Sequence, residues 1–176
     1  SDPKILVYRD TMERALWNGY KGPITEAASA VNAEFIIVQM VAAAVSSPDR
    51  QIDFEVRGEA GTLPAEVATP MAVVLTELLQ NTADHAFPAE APIDAHYRVV
   101  IELAEGADEF IIRVVDNGIG VPPDFSVEKA TGLGLSIVRA LVTSDLRGTI
   151  DVFGPPDGSP GTIVELHVPT DVPVTV

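Results

Sequence analysis

The stretch Val114-Val115-Asp116-Asn117-Gly118-Ile119-Gly120 constrains this chain more than any other. An apolar strand pattern stops on a carboxylate and breaks into two glycines. Asn-Gly after a strand is also the commonest signal for a tight hairpin, in which Asp116 is an ordinary turn residue. The loop that follows is longer than a hairpin needs, and it leads into a helical pattern opening at Leu133. The chain is therefore expected to run from a strand, through a long glycine-containing loop, into a helix.

The neighbouring patterns supply the rest of a domain. Gln51 to Arg57 alternates Ile52, Phe54 and Val56 with Asp53, Glu55 and Arg57, a half-buried strand. A helix is predicted from about Ala65 to Ala86, with Met71, Val74, Leu75, Leu78 and Thr82 as its apolar stripe. Phe87-Pro88 ends it. Tyr97–Leu103 and Phe110–Val115 are predicted as a hairpin across the acidic turn Glu105-Gly106-Ala107-Asp108. Leu133–Leu146 reads as a helix, and residues 148–153 and 162–168 as a second hairpin. The order strand, helix, strand, strand, helix, strand, strand implies an α+β two-layer sandwich. Before it, Thr25 is a candidate cap for a helix over Ala27–Val45, and residues 58–64 read as a loop. Residues 1–23 form a separate N-terminal segment, 24–170 the main domain and 171–176 a tail.

Composition closes off several classes of function. A hydrophobic fraction of 47% excludes disorder for most of the chain. A net charge of −15 argues against nucleic acid or anionic membrane as a partner. Without cysteine there is no disulfide, thiolate catalysis or cysteine metal site. The longest apolar run, Phe35 to Val45, is too short to span a bilayer, and no signal-peptide pattern opens the chain. These readings imply a cytoplasmic domain, whether or not a longer parent is membrane-anchored.

Two more stretches carry chemistry. Thr76-Glu77-Leu78-Leu79-Gln80-Asn81-Thr82-Ala83-Asp84-His85 places Glu77, Asn81 and Asp84 on one flank of the long helix, by i, i+4, i+7 spacing. That flank borders the apolar stripe, so it is either a solvated face or the polar rim of a ligand pocket. Thr131-Gly132-Leu133-Gly134-Leu135-Ser136-Ile137-Val138 is a glycine turn opening a helix, where free N–H groups and the helix dipole favour an anion.

Together, in this order and at these separations, the three stretches resemble the N, G1 and G2 boxes of the Bergerat ATP-binding fold. The likeness is closest to the catalytic domain of sensor histidine kinases and covers roughly residues 50 to 170. It implies a mixed sheet covered on one face by helices. It also implies Mg-ATP as the cofactor, with Asn81 as the magnesium ligand and Glu77 orienting or deprotonating the attacking group. Asp116 is then the adenine acceptor, with Gly118 and Gly120 leaving room for base and ribose and Thr162 supporting the same contact. Gly132, Leu133, Gly134 and Leu135 match the phosphate-binding box. His85 and Lys129 are phosphate contacts in this reading, and Lys129 is otherwise a solvated loop residue.

The sequence departs from the commonest pattern twice. Asp84 stands where Lys or Arg is frequent, and Ala130 replaces the first glycine of the G2 box. The short loop between Gly120 and Gly132, with Asp84-His85, is similar to the kinases that signal to antiterminator response regulators. None of the three histidines, His85, His96 and His167, lies in an acceptor pattern. The resemblance therefore implies partners: a histidine-bearing dimerisation domain of a homodimeric parent, whose last helix ends in residues 1–23, and a response regulator. The alternative of the same fold is a stand-alone anti-sigma-type serine kinase. A Bergerat domain that only docks proteins is a third reading, which intact Asn81, Asp116 and Gly134 disfavour.

Overall fold

The computed structural model describes residues 30–32, 52–58, 62–88, 96–130 and 132–170. Its elements are β1 (Ala30–Asn32), β2 (Ile52–Arg57), β3 (Thr62–Pro64), α1 (Ala65–Asn81), β4 (Tyr97–Glu105), β5 (Glu109–Asp116), α2 (Leu133–Ala140), β6 (Thr149–Phe153) and β7 (Thr162–Pro169). Each helix widens into a π-helical turn at its C-terminal end, Thr82–Ala86 after α1 and Leu141–Asp145 after α2. Among the described residues no helix is long and apolar enough to cross a membrane.

Five strands form one mixed sheet in the order β2-β4-β5-β7-β6. β2 runs parallel to β4, and the remaining pairs are antiparallel. A parallel pair needs a long crossover, and α1 lies in the one between β2 and β4. Alternation gives each strand an apolar side. Val99, Ile101 and Leu103 of β4, Ile112 and Val114 of β5, and Val164, Leu166 and Val168 of β7 meet Met71, Val74, Leu75, Leu78 and Leu79 of α1. Val138 and Val142 from α2 and its π turn join the same cluster. Both helices therefore cover one face, as the sequence implies, and all five residues of the predicted α1 stripe are buried.

The other face is a charged lattice. Arg98 and Arg57 both pair with Glu55, and Arg113 pairs with Glu165. His167 bridges two carboxylates, with Nδ1 at 2.9 Å from Glu109 and Nε2 at 2.9 Å from Glu165. Those hydrogen bonds to Glu165 and Glu109 raise the His167 pKa, and His167 and Arg113 together hold the Glu165 carboxyl below its usual range. With both ring nitrogens engaged by carboxylates, which favour its charged form, His167 is a poor nucleophile.

Two sequence expectations need correction. Ala30–Asn32 is a strand, although it falls inside the helix expected over Ala27–Val45. Thr62–Pro64 is its antiparallel partner, although residues 58–64 read as a loop. Helix propensity is a weak prior, and pairing with a distant strand overrides it here. The rest of the Ala27–Val45 expectation, the 1–23 segment and the 171–176 tail lie outside the described residues.

Candidate functional site

Asp116 is the last residue of β5. It pairs across to Val99 of β4 and to Thr162, the first residue of β7. Alternation puts its side chain on the helix-covered face, where the residue is only 6% exposed. Oδ1 accepts hydrogen bonds from the N–H of Gly118 at 2.8 Å and of Thr162 at 3.2 Å. Burial pushes the Asp116 carboxyl above the usual range, against the opposing pull of Gly118 and Thr162. A carboxylate offers about four acceptor positions, so this one keeps capacity for a ligand donor. The sequence paired Asp116 with Thr162, and the structure brings them together through the Thr162 backbone.

The glycines around Asp116 are required by close backbone approach. A Cβ on Gly118 would lie 2.2 Å from the Ala86 carbonyl oxygen, at the end of the π turn after α1. Ile119 N–H donates to that same oxygen at 2.8 Å. Gly118 thus seats this turn directly on the π turn that ends α1, a packing requirement beside the room for base and ribose that the resemblance implies. A Cβ on Gly161 would lie 2.1 Å from the Asp116 carbonyl oxygen, and Gly161 has φ +134°. Gly120 does adopt positive φ, +79°, as the sequence reading allowed. Gly118→Ala is expected to lower stability by about 2–3 kcal/mol, since rigid backbone must move to admit the methyl. A denaturant midpoint equal to the wild type's would overturn this packing role.

A second cluster forms where α1 meets α2. A Cβ on Gly134 would come within 2.7 Å of Glu77 Oε2 and within 3.6 Å of Asn81 Oδ1. The glycine box therefore lies directly over the carboxylate and amide that helical spacing sets one turn apart. Asn81 Nδ2 is buried without a hydrogen-bond partner. A buried amide of this kind is rare, because an unmade hydrogen bond costs about 1–3 kcal/mol. The metal-binding capacity lies in the oxygens beside Gly134, Asn81 Oδ1 and Glu77 Oε2, the hard donors a magnesium ion selects, and magnesium takes only one or two protein ligands beside phosphate and water. The residues present fit that ion.

The other expected residues lie on the turn that follows α1, on the turn that precedes α2, or at the start of α2. Asp84 and His85 are exposed on the π turn that follows Asn81. Gly132 is the N-cap of α2 with open space at its Cβ position, and its carbonyl accepts from Ser136 Oγ at 2.9 Å. Leu133 is 78% exposed, whereas Leu135 packs against the core. Lys129 ends a 3-10 turn, Val127–Lys129. One contact had no sequence signal: Arg139 of α2 donates to the Glu128 carbonyl at 2.8 Å and ties that turn to the helix. The pairing depends on how the loop folds back, which no local pattern encodes.

Residues 66–172 match the family model described as histidine kinase-, DNA gyrase B-, and HSP90-like ATPase. The chain belongs to this family. Over 125 residues it is 41% identical to the sensor histidine kinase PdtaS of Mycolicibacterium smegmatis, covering 71% of this chain and 24% of that protein. It is 30% identical over 131 residues to blue-light-activated histidine kinase 2 of Erythrobacter litoralis, covering 73% of this chain and 36% of that one. The chain thus spans a quarter to about a third of the length of these relatives. Among solved structures, the histidine kinase domain of an E. litoralis blue-light-activated kinase superposes with a TM-score of 0.64 at 22% identity, covering 96% of this chain and 74% of that one. That likeness establishes the fold: a mixed sheet with helices on one face, as in the histidine kinase ATP-binding domains. Membership of this ATPase family supports ATP as the nucleotide.

Proposed function

We propose that this chain is the ATP-binding catalytic domain of a sensor histidine kinase. It binds Mg-ATP and transfers the γ-phosphate to a histidine on a separate acceptor domain, for relay to a response regulator. The observation that carries the reading is the meeting of Gly134 with Glu77 and Asn81, from stretches far apart in sequence, on the helix whose closing π turn seats the Gly118 loop beside the buried Asp116. Asp116 accepts from the adenine amino group, and Thr162 holds the carboxylate in place. Gly132, Leu133, Gly134 and Leu135 present the N-terminus of α2 to the phosphates, with His85 and Lys129 as further phosphate contacts. Asn81 would hold magnesium, which when bound neutralises the phosphate oxygens and fixes their orientation. Glu77 orients the incoming imidazole or takes its proton.

The nucleophile comes from elsewhere. His167 is clamped between Glu109 and Glu165, and His96 directly precedes β4. His85 is exposed on the π turn one turn beyond Asn81, on the same helix as the residue that would hold the metal. In-line transfer needs an imidazole at near-attack distance on the far side of the γ-phosphate. The histidine-bearing dimerisation domain of a homodimeric parent supplies it. The short loop between Gly120 and Gly132 and the Asp84-His85 pair fit the kinases that signal to antiterminator response regulators.

Radiolabelled ATP tests the division of labour. This chain alone is expected to bind Mg-ATP and remain unlabelled. With the parent's acceptor domain added, label should appear on that domain and be lost in acid, slowly, because the tether that raises effective concentration is missing. Acid-labile label on this chain alone would overturn the proposal. Acid-stable label on an added protein would transfer the assignment to the anti-sigma-type serine kinases.

A further inference from the structure

Asn117 lies between the Asp116 carboxylate and the Gly118 turn, and its side chain completes a sheet that its main chain abandons. The β4–β5 ladder is antiparallel, and its last register pair is Val99 with Asp116. Continued by three positions, the ladder would set Asn117 opposite Arg98 and Ile119 opposite His96. Its backbone bonds would then include Arg98 N–H to the Asn117 carbonyl and Ile119 N–H to the His96 carbonyl. Neither forms. Asn117 N–H still reaches the Arg98 carbonyl at 3.3 Å, but Ile119 N–H leaves for the Ala86 carbonyl at 2.8 Å. The Asn117 side chain fills both places. Its Oδ1 accepts from Arg98 N–H at 2.8 Å, and its Nδ2 donates to the His96 carbonyl at 2.8 Å.

A carboxamide is a peptide group on a side chain, with one acceptor and a donor in one plane. At this position it extends β4 pairing past the end of β5 while the backbone turns toward α1. Without it, the start of β4 loses two partners just where the turn diverges. Asp116 is the adjoining residue, and its Oδ1 depends on Gly118 N–H, which belongs to the same turn.

We propose that Asn117 is a positioning residue for base recognition: its amide substitutes for the departing strand and so fixes the Asp116 carboxylate against its ligand. This rests on the reading of Asp116 as the adenine acceptor and adds a residue that never touches the nucleotide. The requirement is specific. Ala removes both bonds. Asp keeps an acceptor for Arg98 N–H but has no donor for the His96 carbonyl.

The test compares ATP with inosine triphosphate, which carries a carbonyl in place of the amino group. Calorimetric affinities are measured for wild type, Asn117→Ala and Asn117→Asp, with the melting temperature of each. The wild type is expected to prefer ATP. Asn117→Ala should weaken ATP about five- to tenfold, the scale of a misplaced charged hydrogen bond, with inosine triphosphate binding unchanged. Asn117→Asp should fall between. A melting temperature that drops while the ATP-to-inosine-triphosphate ratio stays at the wild-type value would make Asn117 a structural residue only and overturn the proposal. Where Asn117→Ala does not fold, a wild-type ratio in Asn117→Asp overturns it equally. Equal binding of both nucleotides by the wild type would instead defeat the adenine assignment of Asp116, and this role with it.

Discussion

Asn81→Ala is expected to remove phosphoryl transfer to a supplied acceptor histidine, by roughly a hundredfold or more, while the protein melts no lower than wild type. The two halves of this result come from different observations. Loss of activity follows from the one amide oxygen placed beside Glu77 and Gly134, where a hard cation fits. Retained stability follows from the unpartnered Nδ2: the substitution breaks no hydrogen bond and relieves a buried donor. Alanine is also the best helix former, and position 81 ends α1. The measurements are a transfer assay with the acceptor domain present and a melting curve without nucleotide. Wild-type transfer by the variant would remove Asn81 from the metal site. A large fall in melting temperature would mean that the amide holds the fold.

Asp116→Asn should lower ATP affinity tenfold or more, the ~1.5–3 kcal/mol of a hydrogen bond to a charged group. Oδ1 is already engaged by Gly118 and Thr162 N–H groups. An asparagine keeps its oxygen there and turns its NH₂ toward the ligand, donor against the adenine donor. GTP presents a carbonyl at that place, so the wild type should bind it poorly and the variant should narrow the gap. Equal wild-type affinities for ATP and GTP by calorimetry would defeat the assignment. Stability should move the other way. The Asp116 pKa is raised in the folded protein, mainly by burial. A raised folded pKa favours the fold below the ordinary carboxylate range, and that contribution is lost as pH rises through the folded value. At neutral pH the ionised side chain therefore weighs against folding, and the neutral asparagine does not. Nucleotide-free Asp116→Asn should melt at or above wild type at neutral pH, and the advantage should vanish in acid.

What the sequence determined by itself is what local periodicity and turn chemistry encode. The 3.6-residue repeat set the α1 stripe and put Glu77 and Asn81 one turn apart on its border. Alternation set β2, and the acidic turn between two strand patterns set the β4–β5 hairpin. The strand-end carboxylate and the helix-opening glycines are local signals for the two parts of the candidate site. These signals live within a few residues of one another, so the chain carries them wherever it folds.

The tertiary structure alone decided which distant backbones touch. β1 pairs with β3 because a strand edge in this fold outweighs the helix propensity of an alanine-rich segment. Gly118 is demanded by the Ala86 carbonyl, and Gly161 by the Asp116 carbonyl, contacts that no turn rule anticipates. Gly134 meets Glu77 and Asn81 only because α1 and α2 pack side by side on one face of the sheet. His167 is clamped through Glu109, its diagonal neighbour across the β5–β7 pairing. The physical reason is common to all of these. A period specifies which way a side chain points. Strand pairing and helix packing specify what it meets, and the close approach of two main chains is fixed only when the whole core has assembled.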